Sequence, residues 1–155
     1  GRLYFNTRDQ NGKAPGTRGG AFSEDGGDSF VDSGNDRYRW FVPEPDPLDP
    51  PVVQCALLGV SVGSGTNRRD LILFTGPDES GPSGKGRSDL RVRYSTDQAK
   101  TWRDGPLIHE GPAAYSDLVQ LPGGQVGILF EAGLKGKKRY DRILFQRFDP
   151  AVLTP

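Results

Sequence analysis

Tyr115 and Glu131 are the two side chains in this sequence best placed to do chemistry together. They flank Leu121-Pro122-Gly123-Gly124, which carries the signal of a tight hairpin. If Gly123 and Gly124 are the central residues of a two-residue turn, Pro122 faces Gln125 and Tyr115 faces Ala132, with Glu131 as the diagonal neighbour of Tyr115. A phenol with an ordinary pKa of about 10 is a poor nucleophile and needs a base, and a neighbouring carboxylate is one candidate. Other reactive types are sparse. His109 and Cys55 each occur once, so there is no internal disulfide and no imidazole or thiolate cluster to indicate a metal site. Cys55, beside Ala56 and Leu57, reads as a small buried hydrophobe, and His109 as an ordinary strand or loop residue. Arg91 and Arg93 alternate with Leu90, Val92 and Tyr94, the period of a half-buried strand with its arginines in solvent.

The elements that must hold these residues are short strands. Strand character is expected over Leu3–Arg8, Gly19–Ser23, Arg37–Phe41, Val52–Val60, Leu71–Phe74, Leu90–Ser95, Tyr115–Gln120, Val126–Glu131 and Arg142–Phe148. No segment reads well as an amphipathic helix. The 22 glycines and 13 prolines fall between apolar runs, which marks a fold dense in turns and not a disordered chain. Pro43–Pro51 and Gly76–Gly86 are expected as long surface connections within one domain spanning residues 1–155. The class is all-β: a sandwich, barrel or propeller.

Charge excludes several roles. Twenty basic and twenty acidic residues cancel, so the chain as a whole has no field to steer it to nucleic acid or an anionic membrane. No apolar run approaches the length of a spanning helix, so no membrane insertion is expected.

A repeat separates the β architectures. Ser23-Glu24-Asp25-Gly26-Gly27-Asp28-Ser29-Phe30 and Ser95-Thr96-Asp97-Gln98-Ala99-Lys100-Thr101-Trp102 share the pattern Ser-x-Asp-x-small-x-Ser/Thr-aromatic. In each, the aspartate and hydroxyls are suited to bond backbone amides of a tight turn, with the aromatic tucked beneath. The pattern resembles the Asp-box, found once per blade in sialidases and other β-propellers. The first copy keeps Gly27 but has Phe30 for tryptophan; the second keeps Trp102 but has Ala99 at the glycine position. Asp25 and Asp97 are accordingly expected to be structural.

The last third is more specific. Gly111-Pro112-Ala113-Ala114-Tyr115-Ser116-Asp117-Leu118, then Leu121-Pro122-Gly123-Gly124 and Gly127-Ile128-Leu129-Phe130-Glu131-Ala132-Gly133, is similar to the nucleophile strand and following hairpin of exo-α-sialidases. The resemblance implies a partial six-bladed β-propeller of about two to three blades. The absence of an initiating methionine and a strand under way at Arg2-Leu3-Tyr4 are read as a C-terminal portion. It implies Tyr115 as nucleophile, a choice that suits a substrate whose anomeric carbon bears a carboxylate, because a neutral phenol avoids like-charge repulsion. It places two of three carboxylate-binding arginines at Arg8 and Arg87, guanidinium being the planar fork a carboxylate fits. For Glu131 it implies a hold on the family's first triad arginine, beside the alternative that the residue is the base for Tyr115. Gln54 resembles part of a segment near the family's pocket.

No cofactor is implied. The family's first triad arginine, acid/base aspartate and activating glutamate precede the strand that opens this chain, so this chain alone is expected to be inactive, and poorly soluble because an opened propeller exposes blade edges. The implied partners are sialylated glycans, as glycoproteins, gangliosides or oligosaccharides, and family members are often exported to the periplasm or cell exterior. The alternatives are a noncatalytic Asp-box propeller that binds glycan or protein, and an enzyme of the same fold acting as a trans-sialidase or on another acidic sugar.

Overall fold

The protein's structure, a computed structural model, describes residues 2–8, 18–30, 42–43, 48, 50–78, 86–134, 138 and 140–153. The expected strand Arg37–Phe41 and most of both Pro- and Gly-rich connections lie outside these residues. The described residues form nine strands: β1 (Leu3–Arg8), β2 (Arg18–Ser23), β3 (Val42–Pro43), β4 (Ala56–Val62), β5 (Arg69–Pro77), β6 (Ser88–Ser95), β7 (Arg103–Gln120), β8 (Val126–Ala132) and β9 (Arg142–Phe148). All neighbours are antiparallel, in a three-stranded sheet β1-β2-β3 and a six-stranded sheet β4-β5-β6-β7-β8-β9. No helix among the described residues is long and apolar enough to cross a membrane.

Strand β7 organises the larger sheet. Its 18 residues pair with β6 up to Pro112 and with β8 from Ala113 onward, so one strand ends one four-stranded blade and begins the next. Its first half is absent from the sequence expectation, because Gly105, Pro106, Gly111 and Pro112 read as breakers. The structure accommodates them at register shifts along the β6–β7 pair, where glycine and proline are tolerated within sheets. Gly105 lies so close to β6 that a side chain would meet the Val92 carbonyl. Likewise Gly76 and Pro77 belong to β5 and not to a loop.

Period-2 alternation divides the apolar side chains between two cores. Val60, Leu71, Leu73, Leu90 and Val92 pack against Ala113, Val126, Ile128 and Phe130, between the β4–β7 blade and the β7–β9 strands. Phe74, Ala99 and Trp102 turn the other way, where Tyr4 and Phe22 of the β1–β2 hairpin pack on them. The blade is therefore covered on both faces. That overturns the expectation that Arg91 and Arg93 line a solvated face. Arg93 is 1% exposed and ion-paired to Asp78, with Asp104 at 3.4 Å; Arg91 donates to Asp78 Oδ2 at 2.5 Å and to the Gly105 carbonyl at 2.8 Å. Alternation identifies two faces but not whether a second layer covers the polar one.

Both Asp-box turns carry the expected bonding. Asp25 accepts from the Ser29 amide at 2.9 Å and the Ser29 hydroxyl at 2.5 Å, while the Ser23 hydroxyl donates to Asp25 and accepts from the Gly27 amide, both at 2.8 Å. Asp97 accepts from the Thr101 amide at 2.9 Å and the Thr101 hydroxyl at 2.6 Å, and the Ser95 hydroxyl accepts from the Ala99 amide at 2.9 Å. Trp102 is buried beneath its turn, and Phe30 meets Phe5 edge-on.

These bonds make the turns sensitive to acid. Burial raises the Asp97 pKa, but the bonds from Thr101, Ser95 and Lys100 outweigh it and hold the carboxyl down to about 2, below its usual 3.8. The Ser29 hydroxyl and amide and the Ser23 hydroxyl hold Asp25 well below the usual carboxylate range. A depressed folded-state pKa contributes stability that is present above 3.8 and lost as pH falls through about 2. Trp102 fluorescence during acid titration, read in a Trp40→Phe background, should therefore report a loss of structure in this window, and Asp97→Asn should flatten it. An unchanged acid transition in Asp97→Asn would count against this origin.

The second turn also carries strain. Gln98 and Ala99 sit at φ 64°, where the first box has Gly26 and Gly27 at 83° and 105°. A left-handed L-residue costs roughly 1–2 kcal/mol, against a smaller entropic cost for glycine. Gln98 is exposed, so Gln98→Gly should stabilise by about 0.5–1 kcal/mol, a melting shift of roughly 2–4 °C in calorimetry. A lower melting temperature would refute the strain argument. Ala99 is different, because its methyl is buried in the Trp102 cluster.

Candidate active site

The two Asp-boxes and the turn after β7 stand at one end of their strands, and the residues with chemical potential stand at the other. The hairpin between β7 and β8 is not the expected two-residue turn. Pro122–Gly124 form a 3-10 turn closed by the Leu121 amide donating to the Gln125 carbonyl at 2.8 Å, so Gln120 pairs with Val126. The register is thus one residue from the expected one. It shifts again between Ser116↔Phe130 and Ala113↔Ala132, leaving Ala114 and Tyr115 together opposite Glu131.

This is a bulge, a device that re-aims a side chain out of the pleat. Ala113 and Ala114 are fully buried, whereas Tyr115 is 41% exposed. Glu131 is a direct neighbour and not a diagonal one: its Oε2 accepts from the Tyr115 amide at 3.3 Å. The carboxylate thus braces the bulge through the backbone.

Arg87 leads into β6 and is held on both sides. Its carbonyl accepts from the Ala113 amide at 2.9 Å; its side chain donates to the Val52 carbonyl at 2.8 Å and the Tyr140 hydroxyl at 2.7 Å. The guanidinium carbon lies 5.7 Å from the centre of the Tyr115 ring. Tyr115, Glu131 and Arg87 therefore form one group. Arg8 ends β1 on the smaller sheet, paired with Arg18. Arg18, buried, donates to Asn6 Oδ1 at 2.6 Å and to the Val53 carbonyl at 2.9 Å. Adjacent carbonyls of one segment, Val52 and Val53, thereby anchor Arg87 and Arg18.

Cys55 lies just before β4, next to Gln54. Burial pushes its thiol up to about 11, against the pull of Arg18, Arg93, Arg87 and Arg8. The thiol therefore stays protonated.

Arg18, Tyr140 and the full role of Gln54 are missing from the sequence reading. Gln54, exposed, bonds both backbone polar groups of Ser116, the residue after Tyr115. Only the pairing of Arg18 with Arg8 across a hairpin had a local signal.

Residues 1–128 match the BNR repeat-like domain family. The chain belongs to this family. This BNR-repeat chain is 32% identical over 133 residues to a sialidase of Micromonospora viridifaciens, covering 86% of the chain and 18% of that relative. Among solved structures, Hadza microbial sialidase Hz136 superimposes with a TM-score of 0.71 at 26% identity, over 99% of the BNR-repeat chain and 26% of Hz136. The intramolecular trans-sialidase from Ruminococcus gnavus, solved in complex with oseltamivir carboxylate, shares the fold with a TM-score of 0.62 at 18% identity, over 99% of this chain and 31% of its own. The BNR-repeat chain is thus all-β and has the fold of part of a sialidase propeller, spanning less than a third of each of these relatives.

Proposed function

We propose that this chain supplies the nucleophile and carboxylate-binding part of an exo-α-sialidase site. Tyr115 attacks the anomeric carbon of a terminal sialic acid as the glycosidic bond breaks, and water releases the sugar from the tyrosyl adduct with retained configuration. Arg8 and Arg87 hold the substrate carboxylate. The leaving-group acid and the base for Tyr115 come from polypeptide outside this sequence, as the small share of each relative covered here supports. Sialylated glycans are the substrate class.

The observation that carries the reading is the bulge. It lifts an exposed tyrosine out of a strand and sets its ring beside a restrained guanidinium, in a chain 32% identical to a sialidase. Glu131 serves as a positioning group and not as the base, since its carboxylate is engaged by the Tyr115 amide and not by the phenol.

The test is hydrolysis of a 4-methylumbelliferyl sialoside by the polypeptide that carries this chain, with the anomer formed first identified by NMR. The expected product has the α configuration of the substrate. No hydrolysis, or first release of the β anomer, would overturn the proposal.

A further inference from the structure

We infer that Gln54 is a positioning residue that holds the Tyr115 bulge in its reactive setting, an inference that rests on Tyr115 being the nucleophile. Gln54 lies just before β4, distant in sequence from the strand it contacts. Its Oε1 accepts from the Ser116 amide at 3.2 Å, and its Nε2 donates to the Ser116 carbonyl at 3.0 Å and to the Cys55 carbonyl at 3.0 Å. One planar amide thus satisfies both backbone polar groups of a single residue, the pairing a neighbouring strand would otherwise make. The partners also fix which way the amide points, because an N–H needs an acceptor and a carbonyl needs a donor.

The contact falls where the ladder is weakest. Ser116, paired with Phe130, is the first residue of the regular ladder after the bulged Ala114 and Tyr115, so a side chain that fixes its backbone fixes one border of the bulge. The Ser116 side chain is fixed separately. Its buried hydroxyl donates to the Thr75 carbonyl at 3.1 Å and stands 2.9 Å from the Thr75 hydroxyl. Thr75 therefore locks the side chain of Ser116 to the core, while Gln54 locks the backbone through which Tyr115 is aimed.

These two holds differ in consequence. Thr75 is fully buried, whereas Gln54 is exposed. If the Gln54 amide is removed, water can satisfy the Ser116 backbone and the fold persists. What is lost is the fixed orientation of the preceding residue. Misplacement of a reacting group by about 1 Å costs on the order of a hundredfold in rate.

The test uses Gln54→Met, which keeps length and shape without the hydrogen bonds, in the polypeptide that carries this chain. With sialyllactose, kcat should fall about 10- to 100-fold, while KM, inhibition by free sialic acid and the melting temperature stay nearly unchanged. Gln54→Glu, which keeps the acceptor for the Ser116 amide but not the donor for its carbonyl, should fall between. Amide hydrogen exchange at Ser116 should quicken by about tenfold in Gln54→Met, a readout independent of turnover. A kcat within about threefold of the parent, with Tyr115→Phe inactive, would overturn the role of Gln54 and leave the nucleophile assignment standing. Parallel changes in kcat, KM and melting temperature, or unchanged exchange at Ser116, would also overturn it. An active Tyr115→Phe variant would instead remove the reading on which the inference rests.

Discussion

Replacing Tyr115 by phenylalanine should lower kcat on an unactivated sialoside such as sialyllactose by about a thousandfold or more, in the polypeptide that carries this chain. The substitution removes a single oxygen atom, the one that forms the bond to the anomeric carbon. The bulge, the ring and its place beside Arg87 are retained, because they depend on the backbone and on neighbours that do not touch the hydroxyl in any contact described above. Stability should stay within about 0.5 kcal/mol, as for an exposed side chain outside the packed core. Affinity for free sialic acid should also persist, since the carboxylate is held by arginine. Loss of turnover with retained binding and folding is therefore the signature. A kcat within about tenfold of the parent would show that another group attacks.

The second large effect is on binding. Arg87→Ala should weaken the affinity for free sialic acid by about 10- to 100-fold, the equivalent of one charge-assisted hydrogen bond of roughly 1.5–3 kcal/mol. The loss has two sources. The guanidinium no longer meets the ligand carboxylate, and the Val52 carbonyl and Tyr140 hydroxyl lose the donor that ties them together. Arg87→Lys should recover only part of the affinity, because an ammonium restores charge without the planar fork. Raised salt should reduce the difference between parent and variant, since the site is partly open to solvent. Isothermal titration or ligand-observed NMR measures all three. Affinity of Arg87→Ala within about twofold of the parent would remove Arg87 from the carboxylate site.

What the sequence disclosed and what it hid follow from the range of each interaction. The Asp-boxes were legible because each turn is bonded within itself, Ser23 to Ser29 and Ser95 to Thr101. Strand β6 was legible through apolar alternation, and β1, β2, β5, β8 and β9 as short apolar runs between turn signals. The first half of β7 was not, because Gly105, Pro106, Gly111 and Pro112 are turn residues by local chemistry and become strand residues only through β6. Tyr115 and Glu131 were expected near one another from the hairpin, and the structure places them closer still, by a longer turn and a bulge that sequence does not specify. Arg93 was misassigned because burial of its face depends on a second layer. The Gln54 contact with Ser116 and the Arg87 contact with Tyr140 join residues far apart in the chain, and no spacing rule announces them.

The shared strand β7 has a bearing on how such a chain can diversify. Side chains alternate faces along a strand, so adding or deleting one residue within its stretch alongside β6 exchanges inward and outward positions beyond the change. Tyr115 lies downstream on the same strand, and only another bulge could restore its aim. Insertions are tolerated where strands end, and β7 does not end between its pairing with β6 and its pairing with β8. Length along this segment is therefore coupled to the aim of Tyr115, and Gly105, pressed against the Val92 carbonyl, cannot take a side chain. Changes in chain length are left to the connections at the strand ends.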